Sequence, residues 1–231
     1  MSTSVQQRAE AVPEGIFLGG PRKDFERVGR LQLMTLLREG LDPYSKVLDV
    51  GCGCLRGGYW LIHFLDPGCY FGIEPDQERL DAGLTYILEP QTREAKSPAF
   101  SNNDNFDFSV FRAEFDYVVA RSVWTHAAKR HIRMMLDSFA ATAAPGAIFL
   151  TSYLPAVPIG PPSGRMGRFG TFAGDYRGDK WIGHSHESSR GGLVAHSKRW
   201  IFNECRARGL SIKELRHGVV NRQKWLRISI P

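Results

Sequence analysis

Apolar and polar positions follow two rhythms along this chain. Short apolar runs at 46–50, 69–74, 115–120 and 147–153 have the length and composition of buried strands. Between them, apolar residues recur at helical spacing over 57–65, 76–88 and 127–143, the last with Ile132, Met135, Leu136 and Phe139 on one face. Asp76 stands where the second of these helices needs an N-cap. A further helix is expected ahead of the first strand, over 22–40. Phe25, Val28, Leu31, Leu33, Met34, Leu36 and Leu37 fall at its spacing and Gly40 closes it. Strands alternating with amphipathic helices predict a parallel sheet covered on both faces.

Three regions break the alternation. Residues 89–105 are polar and rich in turn formers, and a third strand is expected in or just after them, at Ala99–Ser101 or Phe106–Phe108. Residues 154–196 show no sustained period. A segment that long is uncommon inside a compact domain, so a lid or binding loop is expected, leaving the sheet at the edge where ligands bind. Residues 1–20 have no apolar period and are expected to be mobile. Near the end, a helix over 197–208 stops at Gly209. Leu210–Arg216 and Lys224–Ile230 then read as a hairpin joined by His217–Arg222. The expected architecture is one α/β domain over 21–231. Its three-layer, Rossmann-like sheet has seven strands, mostly parallel, with a C-terminal antiparallel hairpin.

The chemistry concentrates in Lys46–Gly58. The first strand carries one acid, Asp49, and runs into a turn with Gly51, Gly53, Gly57 and Gly58. Glycines let backbone come close to a ligand, and a helix start presents free N–H groups to it. The second strand ends in another acid, Glu74, placed to accept from a ribose diol. A dinucleotide fingerprint would read G-x-G-x-x-G; here the run is Gly51-x-Gly53-x-x-x-Gly57, which argues against an NAD-dependent oxidoreductase.

The pattern Asp49-x-Gly51-x-Gly53 resembles the first motif of the class I S-adenosylmethionine-dependent methyltransferases, and Glu74-Pro75-Asp76 resembles their second. The wider phrases VLDVGCGCLRGG and LIHFLDPGCYFGIEPD are similar to those of a group of small bacterial members. Cys54 departs from the pattern, standing where many members have Gly, Ser or Thr. The resemblance implies S-adenosyl-L-methionine as cofactor. Gly51, Cys52 and Gly53 would lie against its methionyl and ribose parts, and Asp49 would orient the turn and the methionyl ammonium. Glu74, with Pro75 beside it, would hold the ribose, Asn103 and Asp104 the adenine, and the backbone at Arg121 and Ser122 the methionyl group. Arg56, at the helix start, is placed either to reach a carboxylate or to pair with an acid of the N-terminal helix.

A proton acceptor is sought among the histidines, because an imidazole titrates close to neutrality. His126 follows the fourth strand by a few residues and is the candidate for catalysis; the alternative is a histidine that packs on Trp124 or faces water. In the long loop, Tyr176, Trp181, His184 and His186 are candidates for contact with the acceptor, and Phe169 and Phe172 could stack on it or pack the loop down. His184 and His186 with Glu187 or Asp175 do not make a full metal-ligand set, so no metal is expected.

Composition narrows the setting. Of 231 residues 42% are hydrophobic and 23% charged, as in a soluble globular protein. No apolar run approaches the roughly 20 residues of a membrane helix, and no signal-type segment opens the chain. Cys52, Cys54, Cys69 and Cys205 form neither a disulfide framework nor a zinc spacing, which suits a cytoplasmic protein. The net charge is +6. Its excess lies in the C-terminal part, from Lys198 to Arg227, spread over a helix and two strands as on a solvated face. The leading expectation is methyl transfer to an O or N atom of a small molecule. An RNA methyltransferase is the alternative that the basic part admits, although no N-P-P-Y-type motif follows the fourth strand. A non-catalytic cofactor-binding protein of the same fold is another.

Overall fold

The computed structural model describes residues 3–156, 194–217 and 223–231. Helix α1 (Val5–Glu10) and a 3-10 turn (Arg22–Asp24) lead into α2 (Phe25–Arg38). Then follow β1 (Val47–Val50), α3 (Gly58–Phe64), β2 (Tyr70–Ile73), α4 (Gln77–Ala82), α5 (Pro90–Lys96), β3 (Ala99–Ser101), β4 (Phe115–Ala120) and α6 (Lys129–Thr142). The chain closes with β5 (Ala143–Pro155), β6 (Ala195–His196), α7 (Lys198–Ala207), β7 (Ser211–Glu214) and β8 (Lys224–Ser229).

The strands lie in the order β3-β2-β1-β4-β5-β8-β7, and β6 pairs with β5 off that path. Strands β1 to β5 run parallel to one another, whereas β8 runs antiparallel to both β5 and β7. The expected mixed sheet with a closing hairpin is therefore present. The order reverses between β1 and β4, so a crevice opens at their C-terminal ends, where α/β sheets bind ligands.

Alternation along β1 explains the layers. Val47 belongs to one buried cluster, with Leu61, Tyr70 and Tyr117; Leu48 and Val50 belong to the other, with α6 residues Ile132, Met135 and Phe139. Successive side chains of a strand point to opposite faces. Asp49 thus shares the face of Val47 and Tyr70, and it is buried there.

Four expectations need correction. The N-terminal segment is not free. Ser4 and Gln7 form a capping box for α1, and Val5, Ala9, Val12 and Leu18 are buried. Arg22 donates to the carbonyls of Ala9 (2.8 Å), Pro13 (3.0 Å) and Val12. Two short apolar turns are too few to show a period in sequence. Helix α5 occupies part of the stretch read as turns; it buries no residue, so it has no apolar stripe, and Pro90 sits at its first turn rather than breaking it. The helix after Asp76 is α-helical only to Ala82 and continues as a π-helical turn, Gly83–Ile87. Of the two sites weighed for the third strand, Ala99–Ser101 is the one observed. Strand β5 begins four residues earlier than the apolar run, with a register irregularity opposite Phe115.

Candidate active site

The turn after β1 is built by glycines in left-handed backbone, Gly51 at φ +70° and Gly53 at φ +56°. The N–H groups of Gly51 and Cys52 donate to the Ile73 carbonyl at 2.8 and 3.1 Å, pinning the turn to the end of β2. There Glu74 is buried, and both of its oxygens are oriented by backbone. Oε2 accepts from Gly53 N at 2.9 Å and Oε1 from Asp76 N at 3.0 Å. Burial raises the Glu74 carboxyl above its usual range, while these two N–H groups and Arg79 oppose the shift. Each oxygen keeps acceptor capacity for a hydroxyl. Asp76 caps α4 through Arg79 N and pairs with the Arg79 side chain at 3.0 Å, whose guanidinium lies over the Phe17 ring.

Asp49 is held from two sides. Tyr70 Oη donates to it at 3.0 Å, and Gln32 of α2 is its second side-chain partner. Burial raises its carboxyl to about 7 against those hydrogen bonds. The neighbouring glycines make room for the two partners. A Cβ on Gly57 would lie 2.4 Å from Gln32, and one on Gly58 would lie 2.5 Å from Tyr70 Oη. The Gly57-Gly58 pair therefore serves Asp49, which no residue-by-residue reading of the turn shows.

Beyond β4, Ser122 takes φ +62°. Its N–H donates to Ser152 Oγ at 2.8 Å; Gln223 Oε1 accepts from Ser152 Oγ at 2.6 Å, and Gln223 Nε2 donates to Ser122 Oγ at 2.9 Å. After β3, Asn103 Nδ2 donates to Ser101 Oγ and to the Asp107 carbonyl. Its Oδ1 is buried and accepts from no described residue.

These elements converge on a cavity of about 880 Å³. Asp49, Gly51, Cys52, Gly53, Glu74, Pro75, Asn103, Asp104, Arg121, Ser122 and His126 all line it. Its wall also includes Arg56, Cys54, Gln32, Gln223, Phe17 and Phe106. Gln32 and Gln223 were not singled out in the sequence. Gln32 had a visible signal, a polar residue inside the apolar stripe of α2; Gln223 had none. Cys52 and Cys54 are buried, with thiols pushed up by desolvation, that of Cys54 to about 12. Cys54 Sγ donates toward the Phe17 carbonyl at 3.7 Å and so joins the turn to the N-terminal segment. Tyr176, Trp181, His184 and His186, with Phe169, Phe172, Asp175 and Glu187, lie outside the described residues, as does most of the long loop. Among the described residues no group of His, Cys, Asp and Glu is placed to hold a metal ion, and no helix is long and apolar enough to cross a membrane.

A family described as a methyltransferase domain matches residues 22–195. The chain belongs to that family. Solved structures share its fold at low identity. Magnesium protoporphyrin IX methyltransferase (ChlM) from Synechocystis PCC 6803, determined with bound SAM, is 16% identical over 98% of this chain and 90% of its own, with a TM-score of 0.61. The glycopeptide N-methyltransferase MtfA, complexed with S-adenosyl-L-methionine, is 13% identical over 88% and 93%, with a TM-score of 0.61. DhpI in its SAH complex is 14% identical over 97% and 92%, at 0.59. No curated protein matches the chain.

Proposed function

We propose that this methyltransferase-family chain moves a methyl group from S-adenosyl-L-methionine to an O or N atom of a small molecule. The observation that carries the reading is the cavity at the β1/β4 crevice. A pocket for a drug-sized ligand spans about 300–1,000 Å³, and about 880 Å³ leaves space for an acceptor beside a donor. The residues fit the donor group by group. Glu74 offers two pre-oriented oxygens to a ribose diol, Asn103 offers a buried, unfilled acceptor to an exocyclic amine, and Asp49 offers a carboxylate to an ammonium. ChlM, MtfA and DhpI, all of this fold, were determined with SAM or SAH.

When bound, the donor supplies a methyl on a sulfonium: the acceptor's lone pair forms the new bond to carbon as the C–S bond breaks and its electron pair returns to sulfur. The protein's part is to hold the reacting atoms about 3–3.5 Å apart and aligned. Ser122, locked by Ser152 and Gln223, fixes the loop after β4 on which this alignment depends. His126, four residues further along and on the cavity wall, takes the proton that the acceptor releases.

The basic C-terminal part gives little support to an RNA substrate. Arg208 pairs with Asp137 and Glu204, Arg133 with Glu204, Lys198 and Lys224 with Glu214, and Arg227 and Lys213 with Glu39. Much of the positive charge is neutralised where it stands.

Calorimetric titration with S-adenosylmethionine and NAD side by side tests the reading. Heat is expected with the first alone; heat with NAD alone sinks it. In Glu74→Ala the loss of two hydrogen bonds to a charged acceptor is expected to weaken donor binding about a hundredfold, with an unchanged fold by circular dichroism. Unchanged affinity would move the ribose contact elsewhere. Once an acceptor is known, His126→Ala is expected to lower the methylation rate about a hundredfold at neutral pH; a wild-type rate removes His126 from proton transfer.

A further inference from the structure

Two guanidinium groups in the cavity form no ion pair with a described residue. Arg56, at the entry to α3, and Arg121, just after β4, both line it. Neither forms a hydrogen bond or ion pair with a described residue through its side chain. Arg56 is not swung out into water. It lies against the N-terminal segment, where a Cβ on Gly20 would be 2.9 Å from its Nη1 and one on Gly19 would be 3.2 Å from its Nη2. Both face the same cavity, and the positive charge of Arg121 disfavours that of Arg56. Burial and then Arg121 lower Arg56 to about 9, and burial lowers Arg121 to about 10 against the opposing charge of Asp49.

None of the nearby described acids forms an ion pair with either arginine. Asp24 pairs with Arg27 at 3.0 Å, Glu74 is held by two backbone N–H groups, and Asp49 is held by Tyr70 and Gln32. The charge of Asp49 offsets part of that on the arginines, but desolvating two like charges with no hydrogen-bonded anion among the described residues is costly, and that cost is relieved when a ligand supplies one. The methyl donor brings one carboxylate, and its own ammonium balances that charge. One such group cannot neutralise two guanidiniums.

We propose that the acceptor is itself an anion, carrying a carboxylate or phosphate oxyanion that seats on the Arg56–Arg121 pair with its nucleophilic atom turned toward the methyl group. The proposal rests on the cavity being a methyl-donor site. Planar guanidiniums match such oxyanions with paired, charge-assisted hydrogen bonds. The acceptor class is therefore small acids or phosphate esters bearing a hydroxyl or amine, rather than neutral metabolites.

The test uses the full chain saturated with S-adenosylhomocysteine. Thermal unfolding is followed against sodium benzoate, phenyl phosphate and neutral benzamide, with sodium chloride keeping the ionic strength constant. At least one of the two anions is expected to raise the Tm of the wild type saturably, while benzamide has no effect. The tighter of the two anions tells carboxylate from phosphate. The apparent Kd for that anion is expected to rise at least about tenfold in Arg56→Gln, with partial recovery in Arg56→Lys. Arg121→Gln repeats the comparison if Arg56→Gln does not fold. Three results overturn the proposal: no anion effect on the wild type, an equal effect in the variants, or an anion effect seen only without S-adenosylhomocysteine, which would mean a single anion site. If S-adenosylhomocysteine fails to stabilise the wild type, the methyl-donor reading fails instead, and the anion titration of the free protein still reports on the arginine pair.

Discussion

At the scale of the residue, Asp49 separates burial from charge most clearly. Its carboxyl titrates near 7 in the folded chain because burial outweighs the hydrogen bonds from Tyr70 and Gln32. In the unfolded chain an aspartate titrates near 3.9. Between those values the folded state binds more protons than the unfolded one, so stability falls as pH rises and levels off above about 7. The full difference is on the order of 4 kcal/mol. Asp49→Asn keeps an acceptor for Tyr70 and removes the charge. Urea unfolding at pH 5 and pH 8 is expected to show the wild type losing stability between the two, and Asp49→Asn losing much less. The variant is then the more stable protein at pH 8. A parallel pH dependence in both would place the buried charge elsewhere. If Asp49 meets the donor's ammonium as proposed, the same substitution removes that charge, so stability and donor affinity are expected to move in opposite directions.

At the scale of the element, what could be read in the sequence was what local pattern determines. The apolar runs of β1, β2, β4 and β5, the N-cap at Asp76 and the glycine turn are visible because burial on both faces and left-handed backbone each demand particular residues. Helix α5 was invisible because it buries nothing. In α2 the apolar positions predicted the helix, and Phe25, Val28 and Leu36 among them are buried, but they do not by themselves mark out its buried face. Gln32 and Thr35 are buried, whereas Met34 and Leu37 are about two-fifths exposed. The reason lies in a neighbour. A Cβ on Gly29 would come within 2.1 Å of the Arg56 carbonyl, so α2 meets the start of α3 backbone to backbone, and that contact sets its rotation. The polar face of the site was legible where an acid ends a strand, as at Glu74. At Gln32 it was legible only as a polar interruption of the α2 stripe, and not at all at Gln223, which acquires its role only through packing.

At the scale of the whole molecule, the glycine-turn side of the cavity and the N-terminal segment form one structure. Phe17, Leu18, Gly19 and Gly20 line the cavity, Arg56 lies beneath the two glycines, and Cys54 reaches the Phe17 carbonyl. Val5, Ala9, Val12 and Leu18 seat the segment in the core, and polar contacts add to them: Arg22 collects three carbonyls at the end of α1, and Arg8 pairs with Glu89 at 2.9 Å. Arg22→Ala removes charged hydrogen bonds that together contribute about 1.5–3 kcal/mol. In a domain of this size that corresponds to a Tm lower by about 3–12 °C. If the segment is a wall of the site as well as a brace, the loosened glycines also cease to confine Arg56, and affinity for S-adenosylhomocysteine is expected to fall about tenfold. Differential scanning calorimetry and a binding titration on the same variant separate the two roles. A lowered Tm with unchanged affinity would make the segment a brace alone, and the cavity would then owe its shape to α2, the glycine turn and the loop after β4.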